Sequence, residues 1–272
     1  MPLTLTYQGQ TSVPVEIEGL TPEAVRDKSV AEIEQFEIYH GNRKLPLAEF
    51  FSVSGDASDE QIVFEGDLSG VHWIGAHMTT GGVRVEGNAG RHVGSEMRGG
   101  EIHVSGDASD WVGGEMHRGL IHVRGRAGHL IGAAYRGSPR GMTGGTLLIG
   151  GDVGNEVGHT MRRGLIAIGG SIGDTAGFNM IAGTILVFGG SGIRQGAGMR
   201  RGTIGLFGPD PPDMLPTFRR ACRYRPDVLG LLFAELRRND FAVPEALLTA
   251  QYDLYHGDLL EGGRGEILLP AA

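Results

Sequence analysis

The chain has one cysteine, two lysines and 7% aromatic residues across 272 positions. The single thiol, Cys222, can close no internal disulfide and cannot by itself hold an iron–sulfur cluster, so a reducing compartment is expected. No run reaches the roughly 18 apolar residues of a membrane span, and the first residues alternate polar and apolar with no signal core. These features point to a cytoplasmic protein without membrane attachment. A net charge of −8 and the lack of any basic arm exclude nucleic acid as the expected partner. No HExxH or paired CxxC motif is present. Lysine is so scarce that arginine supplies 22 of the 24 basic residues. That composition fits a GC-rich genome and also suits bidentate recognition of carboxylate or phosphate.

What the chain has in abundance is glycine, 48 residues, and it is phased. Met78, Met97, Met116, Met142, Met161, Met180 and Met199 follow one another at steps of 19, 19, 26, 19, 19 and 19 residues. A glycine stands three positions after each Met (Gly81 to Gly202) and another nine after (Gly87 to Gly208). A third precedes six of them by three, and the Met142 repeat departs because seven residues are inserted after Gly132. A fixed period near 20 with locked glycines marks a solenoid, in which no unit buries its apolar face alone.

Five and seven residues after each Met stand pairs such as Val83/Val85, Ile121/Val123 and Ile185/Val187, a period-2 pattern of β-branched residues bounded by glycine. Each pair predicts a short strand pointing those side chains inward. Ile74, Val93, Val112, Ile131 and Val157 form a second inward row. The glycines supply the corners, where positive φ or close backbone approach excludes a Cβ; Gly125 and Gly170 are expected to hold positive φ. The fold class predicted is all-β: a right-handed β-helix of about seven to eight glycine-cornered coils, roughly 35 Å long at about 4.8 Å per coil.

Residues 1–58 fall outside the repeat phase and predict a small N-terminal cap, 59–208 the β-helix, and 209–272 a mixed α/β tail. Along the strands the outward positions change from Arg84, His103 and His122 to Leu148, Ala167 and Leu186, so the late outer face must be covered. The helical pattern Val228, Leu229, Leu232, Phe233, Leu236 offers cover from the chain itself, and a partner subunit is the alternative.

Near the Met corners stand Arg98, Arg118, Arg162, Arg163, Arg200 and Arg201, and the inserted loop adds Arg136 and Arg140. This ladder predicts a dock for an acidic partner or a polycarboxylate ligand; a solvated corner is the alternative. His103 and His122 should stack side by side, yet Arg84 occupies the next rung and repels a cation, so no metal site is assigned. The Met column reads as packing. Glycine runs such as Gly150-Gly151-Asp152-Val153-Gly154 lack the following helix of a phosphate loop. No catalytic residue is assigned.

The glycine-phased repeat resembles the glycine-repeat domain of glutamate synthase. The whole chain more closely resembles the C subunit of formylmethanofuran dehydrogenase and of the bacterial formyltransferase/hydrolase complex. The residues that carry this are Tyr39-His-Gly-Asn42 and Phe51-Ser-Val-Ser-Gly-Asp56 before the repeat, and Tyr252-Asp-Leu-Tyr-His-Gly-Asp258 with Gly263-Arg-Gly-Glu-Ile267 after it. The resemblance implies a scaffold beside an amidohydrolase-like subunit, a formyltransferase subunit and a dehydrogenase-B-like subunit. Together these would move a formyl group from formyl-tetrahydromethanopterin to a methanofuran-type carrier and release formate in one-carbon oxidation. It implies no cofactor on this chain, with the metal and the carrier on the partners. The carriers of such systems have glutamate tails, which gives the arginine ladder a second use. The lone cysteine and the arginine bias favour the hydrolytic complex over a molybdenum or tungsten dehydrogenase. Two readings of other classes are a separate glutamate-synthase-type domain and a polysaccharide-acting β-helix enzyme, whose usual groove of aromatics and carboxylates the late strand face lacks.

Overall fold

A computed structural model describes residues 2–271. The protein is mostly β, with 17 strands and four short α-helices among those residues. Before the repeat come β1 (Leu3–Tyr7), β2 (Val15–Glu16), α1 (Pro22–Val25), α2 (Val30–Glu34), β3 (Glu37–His40), β4 (Arg43–Pro46) and β5 (Phe51–Ser54). The repeat contributes β6 (Gln61–Glu65), β7 (Val71–His72), β8 (Gly82–Glu86), β9 (Glu101–Val104), β10 (Leu120–Val123), β11 (Thr146–Ile149), β12 (Leu165–Ile168), β13 (Thr184–Val187) and β14 (Gly202–Leu206). The tail adds β15 (Arg219–Tyr224), α3 (Asp227–Arg238), α4 (Glu245–Thr249), β16 (Tyr252–Gly257) and β17 (Gly265–Pro270).

Thirteen strands form one open sheet in the order β15-β16-β17-β14-β13-β12-β11-β10-β9-β8-β6-β1-β5. From β1 to β17 every pairing is parallel, and only β5, β16 and β15 run antiparallel to their neighbours. The register never slips between repeats: Val83, Ile102, Ile121, Leu147, Ile166, Ile185 and Ile204 face one another in a single row. All seven are buried, as is every Met of the repeat column. The 26-residue step keeps Ile121 opposite Leu147, so the seven extra residues leave the stack as a loop. A second row of bridges, Leu68–Ala89–Ala108 and Val153–Ile172–Ser191, stacks on another side of each repeat.

The N-terminal segment joins the stack rather than standing beside it. β1 pairs in parallel with β6, and β2 with β7 in a second sheet of order β4-β3-β2-β7. Ser29 and Glu32 make a reciprocal capping box that starts α2.

The two glycine columns differ in physical role. The column three after each Met is left-handed, with φ +83° at Gly100 and +96° at Gly119. Gly125 and Gly170 correct the expectation: neither has positive φ. A Cβ on Gly125 would instead lie 2.7 Å from the Gly106 carbonyl oxygen, and one on Gly170 2.6 Å from the Asp152 nitrogen, both in the preceding repeat. Close approach, not handedness, excludes a side chain there.

Left-handed geometry is also taken by residues with side chains. Trp73, His92, Trp111 and Leu130, each in the same place of successive repeats, have φ between 62° and 66°. The strain is offset because each N–H donates to the next repeat, Trp73 to Arg91 O at 2.9 Å and Trp111 to His129 O at 2.9 Å. The rings of Trp73, His92 and Trp111 stack, with Trp73 and His92 4.0 Å apart and nearly parallel.

The late outer face is covered by the chain itself. Leu229, Phe233 and Leu236 on α3 pack over Leu148, Ala167, Leu186 and Phe207 in a second buried cluster. The cover ends near His122, whose ring lies against Phe241, 6.4 Å between centroids. Burial there pushes the His122 imidazole down to about 4.

Candidate functional site

Each buried Met is followed by two residues that are partly or fully exposed at a corner leading into the strand. The backbone makes this regular: the N–H of Arg98 donates to Met78 O, that of Arg162 to Met142 O and that of Arg200 to Met180 O, all within 2.8–2.9 Å. The corner residues therefore rise in columns about 4.8 Å apart.

The structure divides the eight predicted arginines. Arg162, Arg163, Arg200 and Arg201 line one open groove of about 710 Å³. Between the two arginine pairs it is lined by Ile181, Ala182, Gly183 and Thr184, a corner that carries no charge. Arg136 instead lines a separate hollow of about 260 Å³ with Trp111, Tyr135, Glu156 and His159. Arg98, Arg118 and Arg140 are exposed and line neither.

The groove holds a fifth cation, Arg264, which sequence reasoning missed. Its signal was present: Gly265 pairs with Gly202 and Ile267 with Ile204, so Arg264-Gly265 repeats Arg201-Gly202 one rung further on. It escaped notice because 209–264 interrupts the 19-residue phase.

Electrostatically the groove is short of anions. Arg200 pairs with Glu261 at 3.3 Å. Among the described residues, Arg162, Arg163, Arg201 and Arg264 have no carboxylate within ion-pair distance. Like charges on adjacent rungs repel, and planar guanidinium forks beside an uncharged corner suit a bidentate carboxylate or phosphate.

The inserted loop is anchored on the aromatic ladder. The Tyr135 hydroxyl donates to Ser95 Oγ at 2.8 Å and lies 3.1 Å from His92 Nδ1. Burial pushes the Tyr135 hydroxyl up to about 12 and holds the His92 imidazole down at about 4, so both stay neutral near pH 7. Ser95 is fully buried, and its hydroxyl in turn donates to Trp111 O at 3.3 Å.

His103 and His122 sit on adjacent rungs with ring centroids 6.2 Å apart. Among the described residues, no group of three or more His, Cys, Asp or Glu side chains is placed to hold a metal ion, and no helix is long and apolar enough to cross a membrane.

No family model matches the chain. Among curated proteins it is 38% identical over 95 residues to the C subunit of tungsten-containing formylmethanofuran dehydrogenase 2 of Methanothermobacter thermautotrophicus, covering 34% of this chain and 35% of that one. It is 38% identical over 85 residues to the C subunit of molybdenum-containing formylmethanofuran dehydrogenase 1 of Methanosarcina barkeri, covering 30% and 28%. The alignments thus span about a third of these relatives or less. Among solved structures, a chain in the crystal structure of the formyltransferase/hydrolase complex from Methylorubrum extorquens, in complex with methylofuran, superposes with a TM-score of 0.89 at 34% identity. That match covers 99% of this chain and 100% of the other.

Proposed function

Because the chain belongs to the family formed by the C subunit of formylmethanofuran dehydrogenase and its counterpart in the formyltransferase/hydrolase complex, we propose that it is a non-catalytic scaffold of the hydrolytic assembly in the cytoplasm. That assembly transfers a formyl group from formyl-tetrahydromethanopterin to a methanofuran-type carrier and hydrolyses it to formate. The observation that carries the reading is the full-length likeness to a chain of the formyltransferase/hydrolase complex. The shorter likeness to dehydrogenase subunits supports a second reading, the C subunit of a molybdenum or tungsten enzyme.

In this reading the stack is a right-handed β-helix of seven to eight coils, with residues 1–58 closing one end and 209–272 covering its late face. Unslipped register over the repeat and one buried row per side support it. Its partners are an amidohydrolase-like, a formyltransferase and a dehydrogenase-B-like subunit. The residues present do not fit a metal centre or an iron–sulfur cluster, since no group of ligands converges among the described residues and Cys222 stands alone. We assign those groups and the carrier to the partners, and the arginine groove of Arg162, Arg163, Arg200, Arg201 and Arg264 to an acidic partner surface or polycarboxylate ligand.

Affinity purification from the native host, with mass spectrometry of the companions and metal analysis, tests this reading. An amidohydrolase-like chain and a formyltransferase without tungsten or molybdenum are expected. Tungsten or molybdenum moves the chain to the dehydrogenase, and recovery without companions removes the scaffold role.

A further inference from the structure

The sheet ends at β15, and this edge is unlike the rest of the molecule. All six of its residues, Arg219 to Tyr224, are exposed, while at the opposite end β5 buries Phe51. β15 pairs only with β16, so the hydrogen-bonding groups of its other side face solvent. Four arginines, Arg219, Arg220, Arg223 and Arg225, crowd into seven residues of a chain whose net charge is −8. One carboxylate answers them: Asp253 accepts from Arg220 at 2.7 Å and from Arg223 at 2.8 and 2.9 Å. Arg225 reaches only the Leu248 carbonyl, and Arg219 has no ion-pair partner among the described residues.

Charge and a bulge can serve merely to keep an edge from aggregating, and β15 has both, with an irregularity between Arg220 and Cys222. A purely defensive edge would not gather apolar side chains. Of the eight large hydrophobic residues exposed among the described residues, Tyr224 ends the strand itself and Leu259 and Leu260 adjoin its start, while Val228 and Leu231 follow it on α3. Leu259 is fixed there by its N–H donating to Thr217 O at 3.0 Å. Leu260 is 81% exposed and Leu231 74%. Apolar anchors thus flank a basic strand of about 20 Å, the length of six extended residues.

We infer that β15 receives an extended acidic segment of a partner subunit, added as a fourteenth strand. Its carboxylates face Arg219 and Arg225, and its apolar ends seat on Leu259/Leu260 and Tyr224. Strand addition supplies main-chain hydrogen bonds, and the side chains select the partner. This surface is distinct from the arginine groove, and the inference rests on the chain being part of a complex.

Cys222, the only cysteine, lies in the middle of β15 and serves as the reporter. Its modification by N-ethylmaleimide is followed by peptide mass mapping in the isolated chain and in the assembly purified from the host. The inference predicts rapid modification of the isolated chain and at least tenfold slower modification in the assembly. Arg219→Glu with Leu260→Asp, both exposed positions, should leave the melting temperature of the isolated chain unchanged and reduce companion recovery tenfold. Equal reactivity in chain and assembly, with companions present, overturns the edge inference and leaves the scaffold role intact. Protection in a concentration-dependent dimer of the isolated chain assigns the edge to a second copy and likewise overturns it. A chain that recovers no companions at all overturns both.

Discussion

Arg264 stands one rung beyond Arg201, because the glycines that follow them, Gly265 and Gly202, are paired in the parallel sheet. Two arginines on adjacent rungs, neither with a carboxylate within ion-pair distance among the described residues, repel in the isolated chain. Replacing Arg264 by Ala should therefore raise thermal stability slightly at low salt, by about 0.2–1 kcal/mol, and the gain should fade as salt screens the pair. Melting curves at two ionic strengths check this, and a salt-independent loss would mean that Arg264 has a local partner.

The same groove should respond oppositely in assembly. Arg163→Glu with Arg201→Glu leaves the buried Met and Ile rows untouched, so the chain should fold as before. If an acidic surface docks there, companion recovery in a pull-down falls at least tenfold; unchanged recovery would remove the docking role of the groove.

At the corners, Gly125→Val and Gly119→Ala should both destabilise, by different routes. The first drives a side chain into the Gly106 carbonyl of the preceding repeat, an overpacking cost of about 1–3 kcal/mol. The second forces a Cβ onto φ +96° and against Gly100 O, with a cost of at least about 1 kcal/mol. Denaturant unfolding of each variant measures these, and a neutral Gly125→Val would contradict the close approach.

Removing the Tyr135 hydroxyl tests how the inserted loop is held. Tyr135→Phe loses the bond to Ser95 and leaves the buried serine oxygen without its donor, so a loss of about 1–3 kcal/mol is expected. Proteolysis around Arg136 to Arg140 should quicken in parallel. Unchanged stability and cleavage would show that ring stacking alone anchors the loop.

Acid should weaken the fold through its buried histidines. His122 is held down to about 4 from 6.5 by burial, so between those values the unfolded chain binds a proton that the folded chain does not. Its contribution is fully present above pH 6.5 and is lost as pH falls towards 4, at most about 3 kcal/mol. His122→Phe should flatten that part of the stability–pH curve; an unaltered slope would place the titration elsewhere.

What the sequence disclosed and what it hid have physical causes. The inward row and the Met column were legible because a fixed 19-residue step carries identical chemistry to identical places, from Val83 to Ile204. The apolar stripe of α3 likewise foretold the cover over Leu186 and Phe207. The left-handed turns at Trp73, His92 and Trp111 were invisible, since inter-repeat hydrogen bonds, not glycine, hold them there. The grouping of the arginines was hidden too. Spacing placed Arg98, Arg118, Arg136 and Arg140 on the same ladder as Arg162 and Arg201, whereas the groove joins only the last two arginine pairs, with Ile181 and Ala182 between them and Arg264 brought back by the tail. Handedness of a corner and closure by a distant segment are tertiary properties, and local pattern does not encode them.

The most direct test of the scaffold assignment is a comparison of formate release from a formylated methanofuran-type carrier by the purified assembly and by this chain alone. The account predicts formate from the assembly and none above the uncatalysed rate from the isolated chain. Formate released by the isolated chain would contradict it and would place a catalytic face on this stack.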